Sequence, residues 1–152
     1  MTGCDWLITV LLSAAPVVEL RGGLPYAIAR GADPALAFIV AGLANVAVVP
    51  MAFFILMHLR PVVARVPFVR EVLRWMDRRA ARRTELIEKL GLVGLALFVS
   101  VPLPGTGAWT AAFVAAAAAL PPRRAALSIA LGVVIAAGLV TLISVGALRW
   151  FT

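Results

Sequence analysis

From Leu90 to Pro122 the chain runs 33 residues without a single charge. As one straight helix this run would be about 50 Å long, against a bilayer hydrocarbon core of about 30 Å. It also breaks in the middle, at "VPLPGTGAW" from Val101 to Trp109. Pro102, Pro104, Gly105 and Gly107 fall within six residues there, and such a cluster does not continue a helix. Each half, 90–101 and 108–120, makes about 18–20 Å of helix, enough to pass the midplane but too short to cross. The stretch therefore reads as a hairpin that dips into a membrane and returns.

Two further runs are long enough to cross. Residues 35–57 and 125–148 are uncharged over 23 and 24 positions, and about 20 suffice. Hydrophobic residues make up 63% of the chain and charged residues 14%, well short of the quarter or so typical of a soluble domain. The class is an integral membrane protein. One cysteine, Cys4, leaves no intrachain disulfide or multi-cysteine metal site, and neither cofactor nor metal is expected. No lysine or arginine precedes the first apolar run, so a cleavable signal peptide is not expected.

The net charge of +7 is concentrated, with nine of the fourteen basic residues between Arg60 and Lys89. That reads as a cytoplasmic segment beside anionic lipid rather than a nucleic-acid surface. Val69, Val72, Leu73, Met76 and Ala80 keep helical spacing, and Arg70, Arg74, Arg78 and Arg82 recur every four residues. An amphipathic helix lying on the inner leaflet is expected, with a topogenic role as its simplest use. Pro61 and Pro67 separate it from the preceding crossing. Arg123 and Arg124 share its side of the membrane only if residues 90–120 form a hairpin, as the positive-inside rule favours.

The beginning of the chain repeats this order of parts. An apolar leg, 6–18, meets "ELRGGLP" (Glu19 to Pro25), a shorter return leg, a loop at 30–34 and then the first crossing. The expected fold is an all-α membrane protein of two inverted repeats, 6–59 and 90–150. Each is a re-entrant helical hairpin plus a transmembrane helix, and a basic amphipathic helix in 60–89 joins them. Both termini then lie outside.

The chemistry concentrates in the two breaks. No phosphate-cradling loop, HExxH or nucleophile elbow is present, and the lone His58 reads as interfacial, so no enzyme is expected. Glu19 and Arg21 are charges placed where charge is costly. Gly22 and Gly23 let the backbone turn and free N–H groups for an anion, and Pro25 can start the return helix. Arg21 can hold a phosphate or carboxylate. Glu19 can carry a proton, or the two can form a structural ion pair. The second break offers the N–H groups of Gly105, Thr106 and Gly107, the Thr106 hydroxyl, and Trp109 as anchor or pocket wall, next to Pro102 and Pro104. Asn45 can bond a tip or pack helices. Gly132 and Ala136 read as a packing pair.

"ELRGGLP" followed by "PLPGTGAW" resembles the small multidrug export protein family of prokaryotic membrane proteins, over nearly the whole chain. Asn45 and Pro50 also match that family's pattern, while Ala44 and Ala111 stand where it has glycine. The family is similar to the DedA/VTT superfamily, whose folds carry two re-entrant hairpins entering from opposite faces. That superfamily's second-hairpin arginines have no counterpart here. The resemblance implies transport in a prokaryotic plasma (inner) membrane. The expected substrate is an anionic amphiphile such as a polyprenyl phosphate or phospholipid, moved by a proton-linked transporter or flippase. Export of lipophilic cations through Glu19, and a scaffold subunit without transport, are the alternatives. The expected partners are membrane lipids, the anionic head group of a lipid or small amphiphilic substrate, and a second copy in a homodimer.

Overall fold

The computed structural model describes residues 2–103 and 105–151, without the side chains of 79, 82–86, 88, 89 and 151. The described residues are helical, with no strand among them. Helix α1 (Gly3–Ala14) begins in a capping box, in which the Thr2 hydroxyl receives the Asp5 N–H while the Asp5 carboxylate receives the Thr2 N–H. Helix α2 (Leu20–Ala29) runs back beside it. Asp33 then caps α3 (Pro34–Phe54) by accepting from the N–H groups of Ala35 and Leu36, with Pro34 pre-set for the first turn. A π-helical turn, Ile55–Leu59, and the short α4 (Arg60–Val63) lead to α5 (Pro67–Ser100). Helix α6 (Ala108–Ala117) returns beside α5, and α7 (Pro122–Phe151) completes the chain.

Two helices are long and apolar enough to cross a membrane, Pro34–Val63 and Pro122–Trp150. They pack on each other between the hairpins α1–α2 and α5–α6. The contacts pair off under exchange of α1 with α5, α2 with α6 and α3 with α7. Thus α1 packs on α3 as α5 does on α7, and α2 meets α7 as α6 meets α3. The first hairpin is tied together at its open end. Asp5 on α1 receives hydrogen bonds from Tyr26 and Arg30, which lie at the end of α2. The last turns of α6 (Ala116, Ala117) share a cleft with Arg60 and with Asp77 of α5.

Three expectations change. The return leg of the first hairpin is not shorter than that of the second, since α2 and α6 have 10 residues each. The reason is that α2 starts at Leu20 rather than at Pro25, which lies inside it. The amphipathic segment does not merely rest on a surface, because Leu73, Met76, Ala80 and Ile87 are buried in the bundle. It is continuous with the apolar leg of the second hairpin, and the joint is Gly91, whose φ of 59° favours glycine. Of the fourfold arginine repeat, the Arg82 side chain lies outside the described residues.

Close backbone approach sets the hairpin packing. A Cβ on Gly23 would lie 2.6 Å from the Thr9 carbonyl oxygen and 2.9 Å from the Ser13 nitrogen, both backbone atoms. Gly23→Ala must push α1 off α2 and is expected to cost about 1–3 kcal/mol. Gly42→Ala meets nothing within 4 Å and serves as the mid-helix control, expected to be neutral or stabilising. Thermal unfolding in detergent checks the pair, and equal midpoints would contradict the packing. Gly132 marks a close approach of a different kind, of the crossing α7 to Ala96 and Val99 of α5.

Candidate functional site

The two breaks meet. The first is turned by Glu19 itself, which takes φ 54° and ψ −160° and precedes α2. A non-glycine residue at positive φ costs energy, and here its surroundings hold it. The Glu19 N–H donates to Ala15 O, and Glu19 O receives the N–H groups of both Gly22 and Gly23. Those two glycines are therefore in the first turn of α2 with their donors committed, not free for an anion as the sequence suggested. A Cβ on Gly22 would meet only the Val18 side chain.

The Glu19 carboxylate is buried and crosses to the other break. It accepts from the N–H groups of Ala108 and Trp109, each at 3.2 Å, and pairs with Arg21 at 3.2 Å. Helix α6 begins after Gly107, which has no side chain to cap it. Glu19 thus caps α6 from the opposite half of the molecule, and a carboxylate is the group that a helix N-terminus favours. Gly107 makes room: a Cβ there would lie 1.4 Å from Glu19 Oε2.

Arg21 spreads its guanidinium over both breaks. One nitrogen bonds Glu19, and the other bonds the Thr106 hydroxyl at 2.8 Å and Val101 O at 3.3 Å. The Thr106 hydroxyl also lies 2.6 Å from Val101 O, and the Thr106 N–H is spent on Leu103 O. The backbone donors turned toward an anion are therefore those of Ala108 and Trp109, not those expected from 105–107. A helix N-terminus directly after "PGTG" was the signal for them. Gly105 supplies the positive φ of the turn, 84°. Pro102 is half-buried in the same turn, and Pro104 lies outside the described residues. Pro25 is half-buried within α2.

The remaining residues tie α1 to this junction. A helix end leaves its last carbonyls unpaired, and those of α1 are taken up from several sides. Asn45 Nδ2 donates to Ser13 O at 2.7 Å, Trp109 Nε1 to Ala14 O at 2.9 Å, and the Ala15 N–H to Leu12 O. Asn45 therefore bonds the first tip from α3, and Trp109 is both anchor and wall. Its ring, with Pro16, Ile55, Phe68, Val72 and Met76, lines an apolar cavity of about 270 Å³ beside the junction, at the α5 end of the bundle. Ser13, Ala14, Val101 and Ala108 join the site through their backbone, which no reading of side-chain chemistry could have revealed. Among the described residues no group of His, Cys, Asp and Glu could hold a metal.

No curated protein and no solved structure matches the chain. One family model does, over residues 19–139, so it takes in both breaks, the first crossing, the beginning of the second and every site residue named in the sequence. That range covers most of the chain, and the two apolar crossings agree with a membrane protein of an export class. The chain belongs to the family described as "Putative small multi-drug export protein".

Proposed function

We propose that this protein is a proton-linked membrane transporter for an amphiphile with an anionic head, in which Glu19 occupies the head-group seat until it is protonated. One observation carries the reading. Arg21 and the N-terminus of α6 already hold an anion, and that anion is the protein's own carboxylate. Protonation removes the charge of Glu19 and weakens all three bonds, since charge-assisted hydrogen bonds are the strong ones. A phosphate or carboxylate head then takes the guanidinium and the two N–H groups, and its apolar part fits the adjoining cavity.

The paired contacts of the two halves, the first hairpin tied at its own open end, and the shared position of α6's last turns with Arg60 all support two inverted repeats with re-entrant hairpins. That is the arrangement implied by the DedA/VTT likeness. The basic α5 end is then cytoplasmic by the positive-inside rule, in a prokaryotic inner membrane. With two crossings per copy, a homodimer supplies the missing wall of a pathway.

Efflux of lipophilic cations is the second reading, favoured by the family's description. A cation would have to reach Glu19 past Arg21 and the positive end of α6, which argues for the anion. Proton linkage separates the two. If an anion needs protonated Glu19, its apparent Kd rises about tenfold per pH unit above the titration of Glu19. A cation needs the ionised form and shows the opposite slope. Glu19→Gln fixes the neutral state, so binding of dodecyl phosphate, measured above the probe's own second ionisation at about pH 6, should become tight and independent of pH, while tetraphenylphosphonium binding is lost. Calorimetry on the purified protein measures both. Binding of dodecyl phosphate that keeps its pH slope in Glu19→Gln would remove the proposal.

A further inference from the structure

The buried side of α1 is its polar side. Its three buried residues are Asp5, Thr9 and Ser13, one per turn along a single face. Leu7 and Leu11 face outward, each 59% exposed. An ordinary helix of a globular core turns its apolar stripe inward. This inversion matches a helix with lipid outside and something polar to serve within. The stripe starts at the end of the bundle opposite α5 and finishes at Ser13 and Ala14, whose carbonyls bond Asn45 and Trp109. Trp109 in turn bonds Glu19.

A second, independent observation lies on the stripe. The Ser13 hydroxyl and Asn45 Oδ1 are both buried without a hydrogen-bond partner, in residues that are 0% exposed. Orphaned buried polar atoms cost about 1–3 kcal/mol each, and native proteins satisfy such pairs with internal water. Both atoms also belong to residues already joined through Ser13 O.

We propose that this face of α1 is the proton route to Glu19, running from Thr9 through the Ser13 hydroxyl and Asn45 with water between them. The inference rests on Glu19 titrating, as the proposed function requires. Thr9 donates to Asp5 O at 2.8 Å, and its oxygen remains available as an acceptor. Asp5 marks the mouth. It is held far below the usual carboxylate range, first by the backbone N–H and hydroxyl of Thr2 and then by Arg30 and Tyr26, so it stays ionised and does not itself relay. The charged and titratable groups around the route are Asp5, Tyr26 and Arg30 at its mouth and Arg21 beside Glu19. Asn45, the route's residue on α3, is neutral.

The route and the cavity reach Glu19 from opposite ends. The stripe opens at the Asp5 end, and the apolar cavity lies by α4 and the start of α5. A proton arriving from one end frees the seat for a head group arriving from the other.

The experiment is a pH jump on proteoliposomes followed by infrared spectroscopy, with the carboxyl band of Glu19 assigned by its loss in Glu19→Gln. Thr9→Val combined with Ser13→Ala should slow the appearance of that band at least about tenfold, leaving its equilibrium midpoint in place. Thr9→Ser should keep the wild-type rate, and so should Leu11→Ala. A wild-type rate in the Thr9→Val/Ser13→Ala protein overturns the route while leaving the function reading intact. A Glu19 that shows no band at any pH overturns both. If the double variant does not fold, Ser13→Cys in a Cys4→Ser background decides. Labelling by an impermeant thiol reagent from the Asp5 side supports the route, and no labelling from that side overturns it.

Discussion

Arg21→Ala is expected to destabilise the protein by about 3–5 kcal/mol, because it leaves a buried carboxylate without its cation. The Glu19 side chain is 5% exposed and that of Arg21 17%, so water cannot replace the guanidinium well. The two N–H groups of α6 remain, but they carry partial charges only. Adding Glu19→Gln removes the uncompensated charge, and most of the lost stability should return. Binding of dodecyl phosphate should not return, since the cation of the seat is still missing. Stability and function thus separate within one double-mutant cycle. Arg21→Lys should fall between, because an ammonium is a point charge and cannot reach Glu19, Thr106 and Val101 together as the guanidinium does. Denaturant unfolding in micelles measures the cycle. Wild-type stability in Arg21→Ala would mean that Glu19 is not held there as an ion.

The crossings, the two breaks and the basic segment were legible because each rests on a strong local signal. Uncharged length, clustered proline and glycine, and arginine spacing all survive tertiary context. That the breaks touch was legible only as a consequence of their charge and placement. How they touch was not. Glycine in "ELRGGLP" suggested the turn, yet the turn falls on Glu19, and Gly22 and Gly23 follow in helix. A tertiary contact made the difference: bonding to Ala108, Trp109 and Arg21 holds Glu19 in a backbone conformation that its sequence does not favour. The polar face of α1 was hidden for a related reason. Thr9 and Ser13 are unremarkable in an apolar run, and their meaning depends on which side of the helix is buried. Asn45 and Trp109 were named without knowledge of their partners, which are main-chain carbonyls of α1 and carry no sequence signature.

Glu19 therefore couples the halves of the molecule with one side chain. Its backbone shapes the first break and its carboxylate starts the first helix after the second. A change in its protonation acts on the turn, on the cap of α6 and on Arg21 together. Such a group suits a two-state switch, since one proton alters contacts on both hairpins at once.

Gly107→Ala tests that coupling without touching a charge. The backbone there, φ −91° and ψ −173°, is open to alanine, so any effect comes from the methyl group alone. That methyl would lie 1.4 Å from Oε2, 2.0 Å from Cδ and 2.3 Å from Oε1 of Glu19, which evicts the carboxylate from the α6 N-terminus. Two hydrogen bonds to a charged group are lost, at about 1.5–3 kcal/mol each. The variant should be less stable by a few times RT at least, and its dodecyl phosphate binding should lose the wild-type pH slope. Glu19→Ala provides the control. Once the carboxylate is gone, the three atoms nearest the methyl are gone with it, so adding Gly107→Ala to Glu19→Ala should cost much less than Gly107→Ala alone. Full additivity of the two substitutions would mean that the carboxylate does not rest on Gly107, and the switch would have to be sought elsewhere.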